Sequence, residues 1–237
     1  MDRETILGYV TGFLDAASPS FAGDTLTVKF NQAKPLKRIQ GLFGGTLERE
    51  QNLVIYHLNG IKVQELKLEA RERSMVRKSR AKDAYLAGVL EACGVFCVES
   101  FPDGFCEPAL GLLIGIDVSA LPFIKKEFGG TILKGHKLSW LSQGAEASSN
   151  ATTAKRYMTF RHEEAELLRL FNTTSKHWRE RRATGIATPP RILNKQERWR
   201  QRLLELEAAR AETNPERSES VLMSDGPSYG APQAVGF

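Results

Sequence analysis

Cysteine is scarce and unpatterned. Cys93, Cys97 and Cys106 are odd in number and lack zinc-ligand spacing, so reduced, packed thiols are expected rather than a disulfide framework or a metal knuckle. Long apolar runs are missing as well. The longest, Ala109 to Ile116, is about strand length, which excludes a membrane-spanning helix. No secretory leader is visible either, because Met1-Asp2-Arg3-Glu4 leads straight into a helical pattern. An intracellular protein is expected, in the cytoplasm or an organelle. Acidic residues are outnumbered: Lys and Arg total 33 against 28 Asp and Glu, a net charge of +5 that permits an anionic partner. Nucleic-acid binding would need that surplus collected on one face. The 237 residues suffice for one or two domains with a real core.

What the chain does have is one stretch written twice. Gly8-Tyr9-Val10-Thr11-Gly12-Phe13-Leu14-Asp15-Ala16 and Ala84-Tyr85-Leu86-Ala87-Gly88-Val89-Leu90-Glu91-Ala92 superpose with Tyr9 on Tyr85. Small residues then coincide at Gly8 and Ala84, Gly12 and Gly88, and Ala16 and Ala92, four apart and so on one helical face. Glycine inside a helix costs about 1 kcal/mol against alanine, so its recurrence at one register calls for a packing reason. Small stripes let two backbones approach closely, and the two helices are expected to pack on each other.

In chain order, Ile6 to about Ala17 reads as a helix stopped by Ser18-Pro19. A strand from Thr25 to Gln32 alternates cleanly, with Leu26, Val28 and Phe30 on one face and Thr25, Thr27, Lys29 and Asn31 on the other. An additional short strand between Ala22 and Thr25 is left open. Pro35 to Phe43 reads as a helix closed by Gly44-Gly45. Thr46 to Glu50 and Leu53 to His57 form a hairpin, and Asn59-Gly60 turns into a helix from Ile61 to about Arg73.

The second repeat runs through the same series. Phe43-Gly44-Gly45-Thr46 recurs as Phe128-Gly129-Gly130-Thr131, with Leu36 on Leu121 and Leu53 on Leu138. Between the landmarks the register lengthens by about nine residues, an insertion that fits a longer hairpin around Pro102-Asp103-Gly104, since loops absorb insertions cheaply. A duplicated fold is the economical account. The strand Ala109 to Asp117 is read as pairing with the first-repeat strand; one face is Leu110, Leu112, Ile114 and Ile116, the other Ala109, Gly111, Leu113, Gly115 and Asp117. Glu163 to Phe171 is the expected last helix of this repeat. Beyond it come the basic cluster Lys176, Arg179, Arg181 and Arg182, the break Pro189-Pro190, and an amphipathic helix from Asn194 to about Ala211 with Trp199, Leu203 and Leu206 on one side. The expected organisation is residues 1–82, first repeat and linker; 83–172, second repeat; 173–213, basic segment and helix; and 214–237, a disordered tail.

Val10 to Ser18 and Leu86 to Gly94 resemble two copies of the motif that names the LAGLIDADG homing endonucleases, the second keeping the opening Leu-Ala-Gly and the final Gly. The resemblance covers roughly residues 5 to 172. It implies an α+β fold of two pseudo-symmetric repeats, each αββαββα-like with helices on one face of an antiparallel sheet, joined through the paired motif helices in a monomer. It also implies double-stranded DNA as partner, with the outer sheet faces in the major groove, where Thr25, Thr27, Lys29 and Asn31 have groups suited to phosphates and base edges. Lys176, Arg179, Arg181 and Arg182, with Trp178, suit phosphate and ribose contacts with DNA or RNA.

In that family the eighth motif residue is a carboxylate that binds divalent metal for phosphodiester hydrolysis. Mg²⁺ is the cofactor implied for an active member. Here the eighth positions are Ala17 and Cys93. Alanine has no ligand atom and cysteine is a soft donor unsuited to Mg²⁺. Asp15 and Glu91 sit two residues earlier, about 200° around the helix, and are expected to contact solvent or the sheet. Lys78, in the linker cluster of Arg71, Arg73, Arg77, Lys78, Arg80 and Lys82, is the candidate basic residue near the active centre. The reading is a nucleic-acid-binding protein with cleavage lost or weak. An active site-specific endonuclease and an RNA-splicing maturase or RNA-binding cofactor are the alternatives.

Overall fold

A computed structural model describes residues 1–71, 76, 79–113, 115–134, 136 and 138–213. Lys78, Arg73, Arg77, Ile114 and the expected tail 214–237 lie outside the described residues. The first repeat is α1 (Arg3–Ala17), β1 (Ser20–Ala22), β2 (Thr25–Phe30), α2 (Ala33–Phe43), β3 (Thr46–Glu50), β4 (Leu53–Asn59) and α3 (Ile61–Arg71). The second is α4 (Ser79–Cys93), β5 (Gly94–Ser100), β6 (Cys106–Leu113), α5 (Leu121–Phe128), β7 (Thr131–Ile132), β8 (Leu138–Gln143) and α6 (Gly144–Lys155). Two long helices follow, α7 (His162–Ala183) and α8 (Pro190–Thr213).

Local chemistry sets the boundaries. The Thr5 amide donates to the Asp2 carboxylate at 2.8 Å, an N-cap for α1, and Ser18 ends that helix in the left-handed region at φ 51°. Gly44 and Gly129 close α2 and α5 at φ 78° and 71°, conformations that favour glycine. Each repeat makes its own four-stranded antiparallel sheet, in the orders β1-β2-β4-β3 and β5-β6-β8-β7. The matching orders make the repeats topologically equivalent. The helices pack on one face of each sheet and enclose a continuous core that includes Tyr9, Phe13, Leu26, Tyr56, Tyr85, Phe96, Leu110 and Trp140.

The structure corrects several sequence expectations. β2 stops at Phe30, so Asn31 lies in a bend beyond the strand. β6 spans Cys106–Leu113 and pairs with β5 and β8, not with the first-repeat strand; Gly115, at φ 124°, turns the chain out before Asp117. The extra strand is β1, just before the position left open, and it pairs with β2. α6 has no signal in the sequence, because its Gly, Ala, Ser, Asn and Thr residues give no apolar period; small side chains are what allow it to lie close against α4 and β6. α7 does not stop at Phe171 but runs on to Ala183, placing the basic cluster on its last turns. α8 starts at Pro190, where a missing amide hydrogen costs nothing. Among the described residues no helix is long and apolar enough to cross a membrane.

Candidate nucleic-acid interface

The motif helices α1 and α4 lie against each other at backbone distance. A Cβ added to Gly8 would strike the Ala81 carbonyl, one on Gly12 the Tyr85 carbonyl, and one on Gly88 the Tyr9 carbonyl and the Phe13 amide nitrogen, which it would meet at 2.6 Å. Ala16, Ala84 and Ala92 are buried on the same helices. Two symmetry-related bonds cross the seam. The Tyr85 hydroxyl donates to Asp15 Oδ2 at 2.7 Å, and the Tyr9 hydroxyl donates to Glu91 Oε2 at 2.5 Å.

Glu91 is only 1% exposed. Its carboxylate also accepts from the amides of Thr159 and Phe160, the latter at 2.8 Å, and from the Thr159 hydroxyl at 3.0 Å. In place of the solvent or sheet contact expected for this acid, it forms an anchor that fastens the α6–α7 connection to α4. Burial, then the negative Glu91, push the Tyr9 phenol well above its ordinary value, so it stays a donor. Arg161, 2% exposed and unforeseen in the sequence, donates to the carbonyls of Leu90 at 3.2 Å and Gly94 at 2.5 Å, placing a cation at the C-terminal end of α4. It also pairs with Glu164 and Glu207, and Arg210 pairs with Glu164. No short motif marks this network; a lone arginine between helices carries no periodic signal.

At the helix ends, Ala17 is half-buried and Cys93 is 3% exposed. A cleft of about 240 Å³ opens beside the end of α1, lined by residues that include Asp15, Ser18, Phe21, Leu66 and Asp117. Its two acids are engaged. Asp15 holds Tyr85, and Asp117 Oδ1 accepts from the Ser119 amide at 2.9 Å and hydroxyl at 2.7 Å. Among the described residues no three His, Cys, Asp or Glu side chains converge as metal ligands. A methyl group and a buried thiol at the two helix ends do not fit a hard, oxygen-seeking ion such as Mg²⁺.

The sheets turn unlike outer faces away from the helices. On the first, Thr25, Thr27 and Lys29 point outward, with Thr27 Oγ1 3.2 Å from His57 Nδ1. Cross-strand pairing puts Thr46 and Glu48 on the same face, and Glu48 lies 3.9 Å from His57 Nε2. The outer face of the second presents Val95, Cys97, Glu99, Glu107, Ala109, Gly111 and Leu141. None of its strands contains Lys or Arg.

No protein-family model matches the chain, and no curated protein matches it by sequence. Solved structures do match. I-SmaMI bound to uncleaved DNA target in the presence of calcium ions aligns over 82% of this chain and 97% of its own, with a TM-score of 0.52 at 12% identity. The LAGLIDADG homing endonuclease I-GzeII in complex with DNA target aligns over 82% and 97%, at 0.52 and 11%. The LAGLIDADG meganuclease I-AabMI bound to uncleaved DNA aligns over 82% and 98%, at 0.54 and 12%. This chain has the LAGLIDADG homing-endonuclease fold.

On that LAGLIDADG scaffold the C-terminal arginines divide into two sets. Arg179 forms a two-point ion pair with Glu107, at 2.7 and 3.0 Å. Arg182 does the same with Asp103, at 2.8 and 2.9 Å, and stacks over Phe101 and Phe105. Gln196 of α8 accepts from the Cys106 amide and donates to the Cys106 carbonyl, both at 3.0 Å. These contacts tie α7 and α8 to the β5–β6 hairpin. Lys176 and Arg181 remain exposed, Arg181 lying over Trp178.

Proposed function

We propose that the chain binds double-stranded DNA on the LAGLIDADG scaffold and cleaves it weakly or not at all. The observation that carries this reading is the chemistry of the motif-helix ends: Ala17 and Cys93 stand at the eighth motif positions, and Glu91 is consumed in holding the α6–α7 connection. Thr25, Thr27 and Lys29 on the first sheet are the proposed contacts to base edges and phosphates. A second reading, an RNA-binding cofactor or splicing maturase, is supported by Ala17 and Cys93 at the motif-helix ends, since such a role does not need the cleaving carboxylates.

The test is to capture fragments of host DNA and RNA with the purified protein in Mg²⁺ and to sequence both the enriched pool and its ends. Enriched, uncut duplex DNA is the expected result. Fragments ending at one fixed position would establish an active nuclease, and an RNA-dominated pool would select the second reading. The Ala17→Asp/Cys93→Asp double variant should gain Mg²⁺-dependent cutting if the missing carboxylates are what limits the chain.

A further inference from the structure

We infer that the exposed end of the α7–α8 helical pair is a docking surface for the phosphate backbone of duplex DNA, with Arg191, Lys195 and Arg198 of α8 joining Lys176 and Arg181 of α7. The inference rests on the nucleic-acid reading above and assigns its electrostatic contacts to a surface outside both sheets.

The two helices run antiparallel. Gln196 Nε2 donates to Thr174 Oγ1 at 3.1 Å, and Trp199 packs edge-on against Phe171 at 5.5 Å. That register brings Lys195 to the level of Lys176, and Arg191 to the level of the turn holding Arg179 and Arg181. On α8 the inward stripe includes buried Gln196 and Leu203 and half-buried Trp199, and the exposed Arg191, Lys195 and Arg198 form a stripe beside it, Lys195 lying over the Trp199 ring. Helical rise spreads these three over about 11 Å, enough to span about three phosphates of one strand.

Carboxylate pairing separates these cations from their neighbours. Arg161, Arg169, Arg179, Arg182, Arg200, Arg202 and Arg210 all hold carboxylates. Among the described residues no carboxylate partner is found for Lys176, Arg181, Arg191, Lys195 or Arg198. Of the acids at this end, Glu197 is bound by Arg200 and Gln201, and Glu180 is exposed. The sheets offer less: on the first, Lys29 shares its face with the acid Glu48, and the second has no cation in its strands. Counterion release, the main source of affinity for DNA, therefore has to come largely from elsewhere on the chain.

The same surface argues against a single strand as occupant. Single-stranded nucleic acid is held by bases stacked on exposed aromatic rings. Trp178 is 9% exposed and Trp199 is turned into the helix pair, and among the described residues the exposed large apolar side chains include no aromatic ring. A charged surface whose tryptophans are capped by cations, Trp178 by Arg181 and Trp199 by Lys195, with the exposed His177 ring edge-on to Trp178, fits a backbone whose bases are already stacked in a duplex.

The experiment measures binding of the full chain to a mixed-sequence DNA duplex by fluorescence anisotropy, between roughly 50 and 200 mM salt. The Arg191→Gln/Lys195→Gln/Arg198→Gln variant should lower the slope of log affinity against log salt by about 2 to 3 ions. Lys176→Gln/Arg181→Gln, on the other helix, should lower it by about 2. Lys125→Gln/Lys126→Gln on α5, which removes exposed cations far along the chain, should leave it near the wild-type value. Equal losses in all three variants, or none in either helical variant, overturn the assignment while leaving DNA binding intact. A wild-type chain that ignores duplex DNA overturns both this inference and the proposed function, and stronger binding to duplex RNA overturns the choice of DNA. Melting curves for each variant separate lost contacts from lost folding, and the two helical variants fail independently.

Discussion

At the scale of single residues, burial has turned the motif acid Glu91 and the unforeseen Arg161 into structural groups. Glu91→Gln keeps the shape but removes the charge from a site where amide and hydroxyl donors converge. Hydrogen bonds to charged groups are worth about 1.5 to 3 kcal/mol each, and loss on that order in urea unfolding is the expected outcome. Arg161→Ala leaves Glu207 without its Arg161 partner and Glu164 with Arg210 alone in the interior, and should cost about 3 to 5 kcal/mol by the same measurement. The tyrosines give a pH signature. Burial raises the Tyr9 phenol, and the Tyr56 phenol for the same reason, above the ordinary value of 10.0. The folded state then keeps protons that the unfolded chain releases, so stability is full below the unfolded value and falls as pH rises beyond it. Urea unfolding across that range should show the decline, and Tyr9→Phe should make it shallower.

At the scale of elements, the seam between α1 and α4 depends on the absence of side chains. Gly88→Leu places a branched side chain where even a Cβ would strike the Tyr9 carbonyl and the Phe13 amide nitrogen. Overpacking of this kind costs about 1 to 3 kcal/mol where neighbours can shift, and more against backbone that cannot. A clear fall in melting temperature is expected; an unchanged one would refute the close approach. The β5–β6 hairpin depends on α7 instead. Arg182 joins Asp103 to a stack on Phe101 and Phe105, so Arg182→Ala should raise hydrogen exchange in the hairpin more than in the first sheet. This helix pair was only partly legible: the period of Trp199, Leu203 and Leu206 announces α8, but nothing local says that α7 continues past Phe171 or that Gln196 reaches back to Cys106.

At the scale of the molecule, the proposed DNA contacts are unequal. Lys29→Ala removes the cation from the outward row of β2, and its expected effect is weaker binding with a salt slope reduced by about one ion. Unchanged affinity and slope would sink the first sheet as a DNA surface. Because the strands of the second sheet carry no Lys or Arg, the two halves share a fold without sharing an electrostatic face. That asymmetry was already visible in the strand composition.

The sequence by itself determined the duplicated α+β architecture, because two copies of a small-residue helix and two copies of Phe-Gly-Gly-Thr occur in one order, and periodicity and turn chemistry are local properties. It also determined what stands at the motif ends, Ala17 and Cys93. Only the tertiary structure decided which charges are left facing water. Arg179 and Arg182 read from the sequence as members of the same cluster as Lys176 and Arg181, yet carboxylates distant in the chain, Glu107 and Asp103, take the first two and leave the others exposed. Ion pairing acts through space over a few ångströms, and sequence spacing does not encode which acid the fold will bring within that reach.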